Sequence, residues 1–142
     1  MKIEDVIASD RSVITVAPRE TIRDAVDLLE EHGIGAVVVT SDGRSIDGII
    51  SERDIVRNLV REQEGTLRLR VEDLMTENVS TCALSDSVDS AMETMTAGHF
   101  RHLPVVDAHG HIYNIVSLGD LVRARLDELE AQNRQLRQMV SG

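Results

Sequence analysis

The chain contains an internal repeat, and this feature restricts its fold more than any other in the sequence. At an offset of 66 residues, the segment 13–57 aligns without a gap with the segment 79–123. Identical positions of the first copy include Val13, Thr15, Ala17, Ala25, Val39, Ile49, Ser51, Asp54, Val56 and Arg57. Two equivalent structural units are therefore expected.

The lead-in to each copy is repeated as well, because IEDVI at 3–7 resembles VEDLM at 71–75. Between the copies, a polar stretch around Gly65 interrupts the apolar period, which predicts a linker. One unit has too little apolar surface to stand alone, so the two units should share a core. The predicted boundaries are repeat 1 at 1–60, the linker at 61–70, repeat 2 at 71–126 and a helical tail at 127–142.

Each copy predicts the element order β-α-β-β-α, so the predicted fold class is α/β with two tandem units. In the first copy, Thr21 is a candidate N-cap for a helix with one apolar face. Short β-branched runs then predict two strands joined by a turn around Gly43. In the first copy, the predicted elements are a helix at 21–32, strands at 36–40 and 48–51, and a helix from 52 towards 60. In the second copy, they are a helix at 87–97, strands at 102–107 and 114–117 joined by a turn at 108–113, and a helix from 118 onward.

The formal charge of −10 argues against partners with anionic surfaces. Phosphate backbones and anionic lipids would be repelled, so neither a nucleic-acid partner nor a membrane is predicted. The single Cys82 cannot form an internal disulfide, and the first fifteen residues lack the apolar core of a signal peptide. No stretch approaches the length that spans a bilayer. These features predict a cytoplasmic protein.

The two copies are most alike at GIISERD (48–54) and NIVSLGD (114–120), where a strand ends at Ser and a helix has Asp as its third residue. One explanation is a capping box, in which both side chains bond backbone N–H groups. The other is a ligand site, since a helix start suits phosphate and a carboxylate can accept ribose hydroxyls. Arg53 adds a guanidinium beside the first motif. The paired occurrence favours ligand binding.

The sequence from Met1 to about Leu126 resembles the cystathionine-β-synthase (CBS) domain pair, also called a Bateman module. The resemblance rests on the repeated lead-in, on AMETMTAGHFRHLPVVD at 91–107 and on the two strand-Ser-x-x-Asp motifs. It implies a pseudo-two-fold disc with two clefts that take AMP, ADP, ATP or NAD, with S-adenosylmethionine less favoured.

The resemblance also implies a role for each candidate site residue. Asp54 and Asp120 would hold ribose hydroxyls, while Ser51 and Ser117 would contact ribose or phosphate. The remaining candidates are Ile14, Ile50, Ser80 and Val116 for the adenine pocket, and Arg101 and His102, together with Arg53, for phosphate.

The copies are not equivalent, so one cleft is expected to dominate. Asn114 replaces the glycine usual before the second strand, and Gly119 stands where the first copy has Arg53. The first copy also lacks the pair formed by Arg101 and His102. Arg57 and Arg123 repeat, but basic residues on a helix face are usually solvated, so neither is included in the site.

No catalytic or metal site is predicted. The histidines near His109 and His111 fall in a predicted turn without acidic or cysteine ligands at zinc spacing. Cys82 lies in an apolar strand, which favours an inert core thiol over a nucleophile. No catalytic triad order or phosphate-binding glycine loop occurs, so the protein is not expected to be an enzyme.

The tail continues the last helix with apolar residues at alternating spacings of four and three. With Leu126 and Asn133 at heptad position a and Leu129 and Leu136 at d, the pattern favours a two-stranded parallel coiled coil. An amphipathic helix packed on its own domain is the alternative. We predict a homodimer.

Together these features predict a regulatory module that binds an adenine nucleotide between its repeats and acts on a protein partner in trans. The alternative is a scaffolding homodimer that does not respond to nucleotides, in which Ser51, Asp54, Ser117 and Asp120 serve only as helix caps.

Overall fold

The computed structural model describes residues 1–7 and 12–141 and has the predicted α/β fold with two units. Thr15–Val16, Ala36–Val39 and Gly48–Ser51 form β1 to β3, and Cys82–Ala83, His102–Val106 and Ile112–Ser117 form β4 to β6. The α-helices α1 to α5 are Ile22–His32, Glu52–Glu62, Val71–Leu74, Val88–Gly98 and Leu118–Ser141. Two 3-10 helices lie at Ile3–Asp5 and Gln63–Arg68.

The strands form two three-stranded sheets of identical order, β1-β2-β3 and β4-β5-β6. The first two strands of each sheet are parallel, and the last two are antiparallel. A helix crosses over between the parallel strands, as such a connection requires. In β6 the strand begins at Ile112, so it includes Ile112 and Tyr113, which were predicted to lie in the turn.

Each unit completes its core with the lead-in of the other copy. Ile3 is fully buried in the second core, where it packs with residues such as Met95 and Leu103. Val71 is fully buried in the first core, among residues such as Ile22 and Ile50. In the folded protein, each unit therefore packs the lead-in segment of the other sequence copy into its core, and we call this arrangement the exchange of the lead-ins.

The two units also approach each other directly. In β2, Val37 and Val39 face the first core, while Val38 on the opposite face of the strand is also fully buried. The backbone N–H of Ile112 donates to the carbonyl of Arg44 at 2.8 Å, which joins the start of β6 to the turn between β2 and β3. Burial on both faces explains why β2 is a continuous β-branched run.

The segment 61–70, predicted as a linker, is folded rather than irregular. Helix α2 continues to Glu62, and Thr66 in the following 3-10 helix is fully buried. The Asn58 side chain donates to the Thr66 hydroxyl at 3.0 Å, and the Leu69 carbonyl accepts from the Ile22 N–H at 2.8 Å. These bonds satisfy backbone and side-chain polar groups in the polar stretch that was predicted to be a linker.

Helix α5 runs without interruption from the second unit into the tail. Every residue from Leu129 to Ser141 is exposed, so this part does not pack back onto its own domain. Across the described parts of the chain, no helix is both long enough and apolar enough to cross a membrane.

Gly48 permits the close approach of the second lead-in to β3. A Cβ at this position would lie 2.8 Å from the Thr76 carbonyl oxygen and 2.7 Å from the Met75 sulfur. Ile49 exchanges two backbone hydrogen bonds with Thr76 beside it, so the carbonyl cannot retreat without losing them.

We therefore expect Gly48→Ala to lower the free energy of unfolding by about 1–3 kcal/mol. Gly119→Ala is the control, because its Cβ would meet only the Ser117 hydroxyl at 3.7 Å and it lies in a helix. Removing that glycine should stabilise the protein slightly. Urea unfolding followed by circular dichroism measures both values, and equal stabilities of the two variants would contradict this account of the packing.

Candidate functional site

Both Ser-x-x-Asp motifs form capping boxes at the start of a helix. The Ser51 hydroxyl accepts from the Asp54 N–H at 3.3 Å, and Asp54 Oδ2 accepts from the Ser51 N–H and hydroxyl, each at 2.9 Å. Ser117 and Asp120 exchange the equivalent backbone bonds at 3.1 and 3.2 Å. Both carboxylates are thus fixed through one oxygen and partly exposed.

The first motif borders a cavity of about 600 Å³ between the two units, which we call cleft 1. One wall is the end of β3 and the start of α2, and the other is the segment 98–102 that joins α4 to β5. The segment that follows the second lead-in supplies a third wall, between Thr76 and Ser80. A cavity of this size is within the usual range for small-molecule sites.

Six of the eleven candidate residues meet in cleft 1. They are Ser51, Arg53, Asp54, Ser80, Arg101 and His102. The fold therefore brings the basic pair of the second copy to the Ser-x-x-Asp motif of the first. This pairing follows from the arrangement of the units and could not be read from the sequence order.

A second cavity of about 330 Å³, cleft 2, lies at the other motif. It includes the candidates Val116 and Asp120, with Asn114 beside them. The first lead-in supplies Asp5 to the opposite wall.

Ile14, Ile50 and Ser117, all described by the structure, border neither cavity. Ile50 is fully buried in the first core and Ile14 packs against that core, so neither side chain faces a ligand-sized space. Successive strand residues point to opposite faces, and the neighbouring Ile49 is the residue that borders cleft 1.

Arg57 also borders cleft 1, although it was left out of the predicted site. It lies one turn into α2 after Arg53 and Asp54, so its side chain lies on the same helix face. The signal for it was present in the sequence, in the spacing of Arg57 from Asp54.

The two clefts differ in charge. Cleft 1 has three guanidinium groups and two histidines against the carboxylates of Glu52 and Asp54. Its guanidinium groups belong to Arg53, Arg57 and Arg101. Cleft 2 has three carboxylates and one guanidinium, from Asp5, Asp120, Asp127 and Arg123. An anion is therefore favoured in cleft 1 and disfavoured in cleft 2.

One hydrogen bond crosses cleft 1 between the units. The Arg53 guanidinium donates to the His99 carbonyl at 3.2 Å. His99 ends α4 in the left-handed conformation, with φ of 60°, which aims its carbonyl at the cleft. This conformation is uncommon for a residue with a side chain, although histidine tolerates it better than most.

His102 borders cleft 1, and its ring lies close to Gly35. A Cβ on Gly35 would lie 2.9 Å from His102 Cε1 and 3.1 Å from Glu52 Oε1. Burial lowers the pKa of His102 below its ordinary value of 6.5; Glu52 and Asp120 oppose this shift, and Arg101 adds to it. His102 is therefore mainly neutral at pH 7 and can donate or accept a hydrogen bond.

The Cys82 thiol is buried in the second core. Burial raises the pKa of the Cys82 thiol to about 11, which makes it unreactive at neutral pH. In the part of the chain that the structure describes, no cluster of three or more His, Cys, Asp or Glu side chains could hold a metal ion.

The sequence matches the family model of the CBS domain twice, at residues 3–61 and 71–127. Curated relatives are longer than this chain, which spans 68% and 67% of the length of two of them.

The fold is similar to that of the CBS-domain containing protein ATU1752 from Agrobacterium tumefaciens. That protein is 39% identical with a TM-score of 0.83, and the match covers 88% of this chain and 99% of that one. The CBS domain protein PAE2072 from Pyrobaculum aerophilum, complexed with AMP, is 25% identical with a TM-score of 0.80 over 92% and 99% of the two chains.

A third similar structure is the CBS domain pair of protein MJ0100, in complex with 5′-methylthioadenosine and S-adenosyl-L-methionine. It is 25% identical with a TM-score of 0.78, and the match covers 87% of this chain and 98% of that one. Adenosine derivatives with and without phosphate thus occupy similar proteins.

The lowered pKa of His102 makes stability depend on pH. Between its folded pKa and 6.5 the unfolded chain binds more protons than the folded chain, so stability should fall as the pH is lowered through this window. The Cε1–Hε1 NMR resonance of His102, identified by its loss in His102→Gln, should titrate with a midpoint below 6.5. A midpoint at or above that value would rule out burial as the dominant effect.

Proposed function

The chain belongs to the CBS domain family, and we propose that it is a non-enzymatic regulatory module that binds an adenine nucleotide in cleft 1. The ligands are AMP, ADP, ATP or NAD, which share an adenosine and carry phosphate. The module acts on a protein partner in trans, in the cytoplasm.

The observation that carries the proposal is the meeting of Asp54 with three guanidinium groups in one cavity. A carboxylate at the start of a helix accepts ribose hydroxyls, and guanidinium groups bind phosphate through two parallel hydrogen bonds. The cavity of about 600 Å³ has room for both groups of one ligand.

The capping box supports this role rather than competing with it. Asp54 Oδ2 is held by Ser51, and Oδ1 accepts no hydrogen bond from the residues that the structure describes. The carboxylate is thus oriented before the ligand arrives, which lowers the entropic cost of binding.

Phosphate would be bound by Arg101 and by Arg53 or Arg57 from the opposite wall. Neutral His102 would donate a hydrogen bond to phosphate or accept one from the ribose. Ser80 and Ile49 border the same cavity and would contact the adenine or ribose.

Nucleotide binding would change how the two units are held together. Asp54, Arg53 and Arg57 belong to the first unit, and Arg101 and His102 belong to the second. A ligand that contacts both stabilises one relative orientation, and a partner that prefers that orientation responds to the nucleotide.

We also propose that two chains pair through α5 as a parallel coiled coil. Leu129 is 48% and Leu136 is 61% exposed, and Asn133 lies between them at a position that selects two-stranded pairing. Arg125 would face Glu130 of the second chain.

The scaffold alternative makes a different prediction. If Asp54 only caps α2 and binds no ligand, the thermal stability of the protein does not change when a nucleotide is added. In a dye-based thermal melt, a nucleotide at about 100 times its dissociation constant should add about 2.7 kcal/mol, a shift of several degrees. We expect this shift in the wild type and in Asp120→Ala, and its loss in Asp54→Ala.

The two variants are matched, since each removes one capping carboxylate, at a cost of about 1 kcal/mol. A shift of equal size in both would contradict binding in cleft 1. Flat melts in the wild type with AMP, ADP, ATP and NAD would favour the scaffold.

For the homodimer, the expected mass in solution by light scattering is twice that of one chain. Changing both d positions, Leu129→Lys and Leu136→Lys, should give a monomer. Changing two outward positions, Ala131→Lys and Gln138→Lys, adds the same charge and should leave the dimer intact. Monomers in both cases, or a dimer in both, would exclude pairing through this face.

A further inference from the structure

The imidazole of His102 lies where the two units meet. Its backbone belongs to the second unit, where it pairs with Ser117 in the register of β5 and β6. Its ring lies against the first unit, because Cε1 and Nε2 are 2.9 and 3.0 Å from the point where a Cβ of Gly35 would stand. Glu52 Oε1 lies 3.1 Å from the same point, so Nε2 and this oxygen are at most about 6 Å apart. A ligand in cleft 1 would therefore meet an imidazole that already faces a carboxylate.

This histidine is a departure from the symmetry of the repeat. The residue that matches it in the first copy is Ala36, which is buried and has no ionisable group. The described residues that border cleft 2 include no histidine. A group that titrates between pH 5 and 8 is therefore a property of cleft 1.

Burial and three charged residues set the proton affinity of His102. Burial is the largest effect and lowers the pKa of His102 below 6.5. Glu52 at the start of α2 and Asp120 at the start of α5 favour the imidazolium, and Arg101 opposes it. A further negative charge in cleft 1 would shift this balance towards the imidazolium. The other titratable groups that border the cleft are Arg53, Asp54, Arg57 and His99.

We propose that a phosphate-bearing adenine nucleotide binds in cleft 1 together with a proton, which His102 takes up from solvent. The imidazole then changes from a neutral hydrogen-bond partner into a cation beside the phosphate, and no covalent bond of the ligand changes. The affinity of the protein for the nucleotide therefore increases as the pH falls. The inference rests on the proposed function, since it needs a phosphate in cleft 1.

The pH window of this effect lies between two pKa values of His102, one in the free protein and a higher one in the complex. Within the window the complex binds more protons than the free protein, so a lower pH favours the complex. Below both values His102 is charged in both states, and above both it is neutral in both, so its effect on affinity levels off. A difference of about one pKa unit corresponds to about a tenfold change in Kd across the window.

AMP and adenosine are matched probes, because they differ only in the 5′-phosphate. The NMR titration midpoint of His102 in the full chain should rise by about one unit with saturating AMP and stay unchanged with adenosine. A midpoint that AMP leaves unchanged or lowers would overturn the inference, and so would an equal rise with adenosine.

Calorimetry in buffers of different ionisation enthalpy counts the protons that are taken up with AMP. At the pH midway between the two midpoints, the wild type should take up about half a proton more than His102→Gln. The titration of the AMP phosphate itself is common to both proteins and cancels in the difference. Equal uptake by the two proteins would overturn the inference. The midpoint shift in the wild type decides the question if His102→Gln binds AMP too weakly.

Glu52→Gln and Glu62→Gln are matched changes at the two ends of α2. Removing the Glu52 carboxylate should lower the His102 midpoint in the free protein and move the pH window of AMP affinity to lower pH. Glu62 is exposed and borders neither cleft, so Glu62→Gln should leave both unchanged. A window that stays in place in Glu52→Gln would assign the pH dependence to another group and overturn the inference.

The proposed function is judged separately. AMP binding without a rise in the His102 midpoint overturns the proton uptake alone and leaves nucleotide binding in place. Absence of binding with AMP, ADP, ATP and NAD alike overturns both.

Discussion

The exchange of the two lead-in segments is the contact on which the rest of the structure depends. Ile3, from the first sequence copy, is fully buried in the core of the second unit. Val71, from the second copy, is fully buried in the core of the first unit. Neither unit can lose its partner without opening its own core, so the two should fold as one cooperative body. The same exchange forms the clefts, because the chain that leaves the second lead-in after Thr76 becomes a wall of cleft 1. Core packing and the proposed ligand site are therefore coupled through one segment.

The capping box and the proposed ribose site use the same carboxylate, and the geometry explains how both roles coexist. Asp54 Oδ2 accepts two hydrogen bonds from Ser51, which fix the carboxylate, while Oδ1 accepts none from the described residues and Asp54 borders cleft 1. A side chain held in this way needs little reorganisation on binding. The fold therefore has a structural reason to keep Ser and Asp in both copies, and their repetition alone does not show that both clefts bind the same ligand.

Periodicity and the repeat were sufficient to predict the fold class, the order of elements along the chain and most element boundaries, because local patterns set them. Local sequence position was sufficient to put Asp54 and Arg53 at the start of α2, where both border cleft 1, and their role in binding stays a prediction. Ile50 was predicted for the adenine pocket, but the structure buries it in the first core and puts Ile49 at cleft 1, because successive strand residues point to opposite faces. The folded segment 61–70 was missed because its stability comes from distant partners, such as the bond between Asn58 and Thr66. The meeting of Arg101 with Asp54 depends on tertiary packing and has no local signal.

A duplicated unit gives two clefts of the same framework, so any functional difference must come from positions where the copies diverge. Three such positions are relevant here, because Gly48 corresponds to Asn114, Arg53 to Gly119 and Ala36 to His102. Arg53 and His102 border cleft 1, and Asn114 borders cleft 2. Each change moves a polar or basic group into one cleft and out of the other. Because the framework is shared, these few side chains change ligand charge preference without disturbing either core. The departures from symmetry, rather than the repeated motif, therefore contain the information about which ligand each cleft prefers.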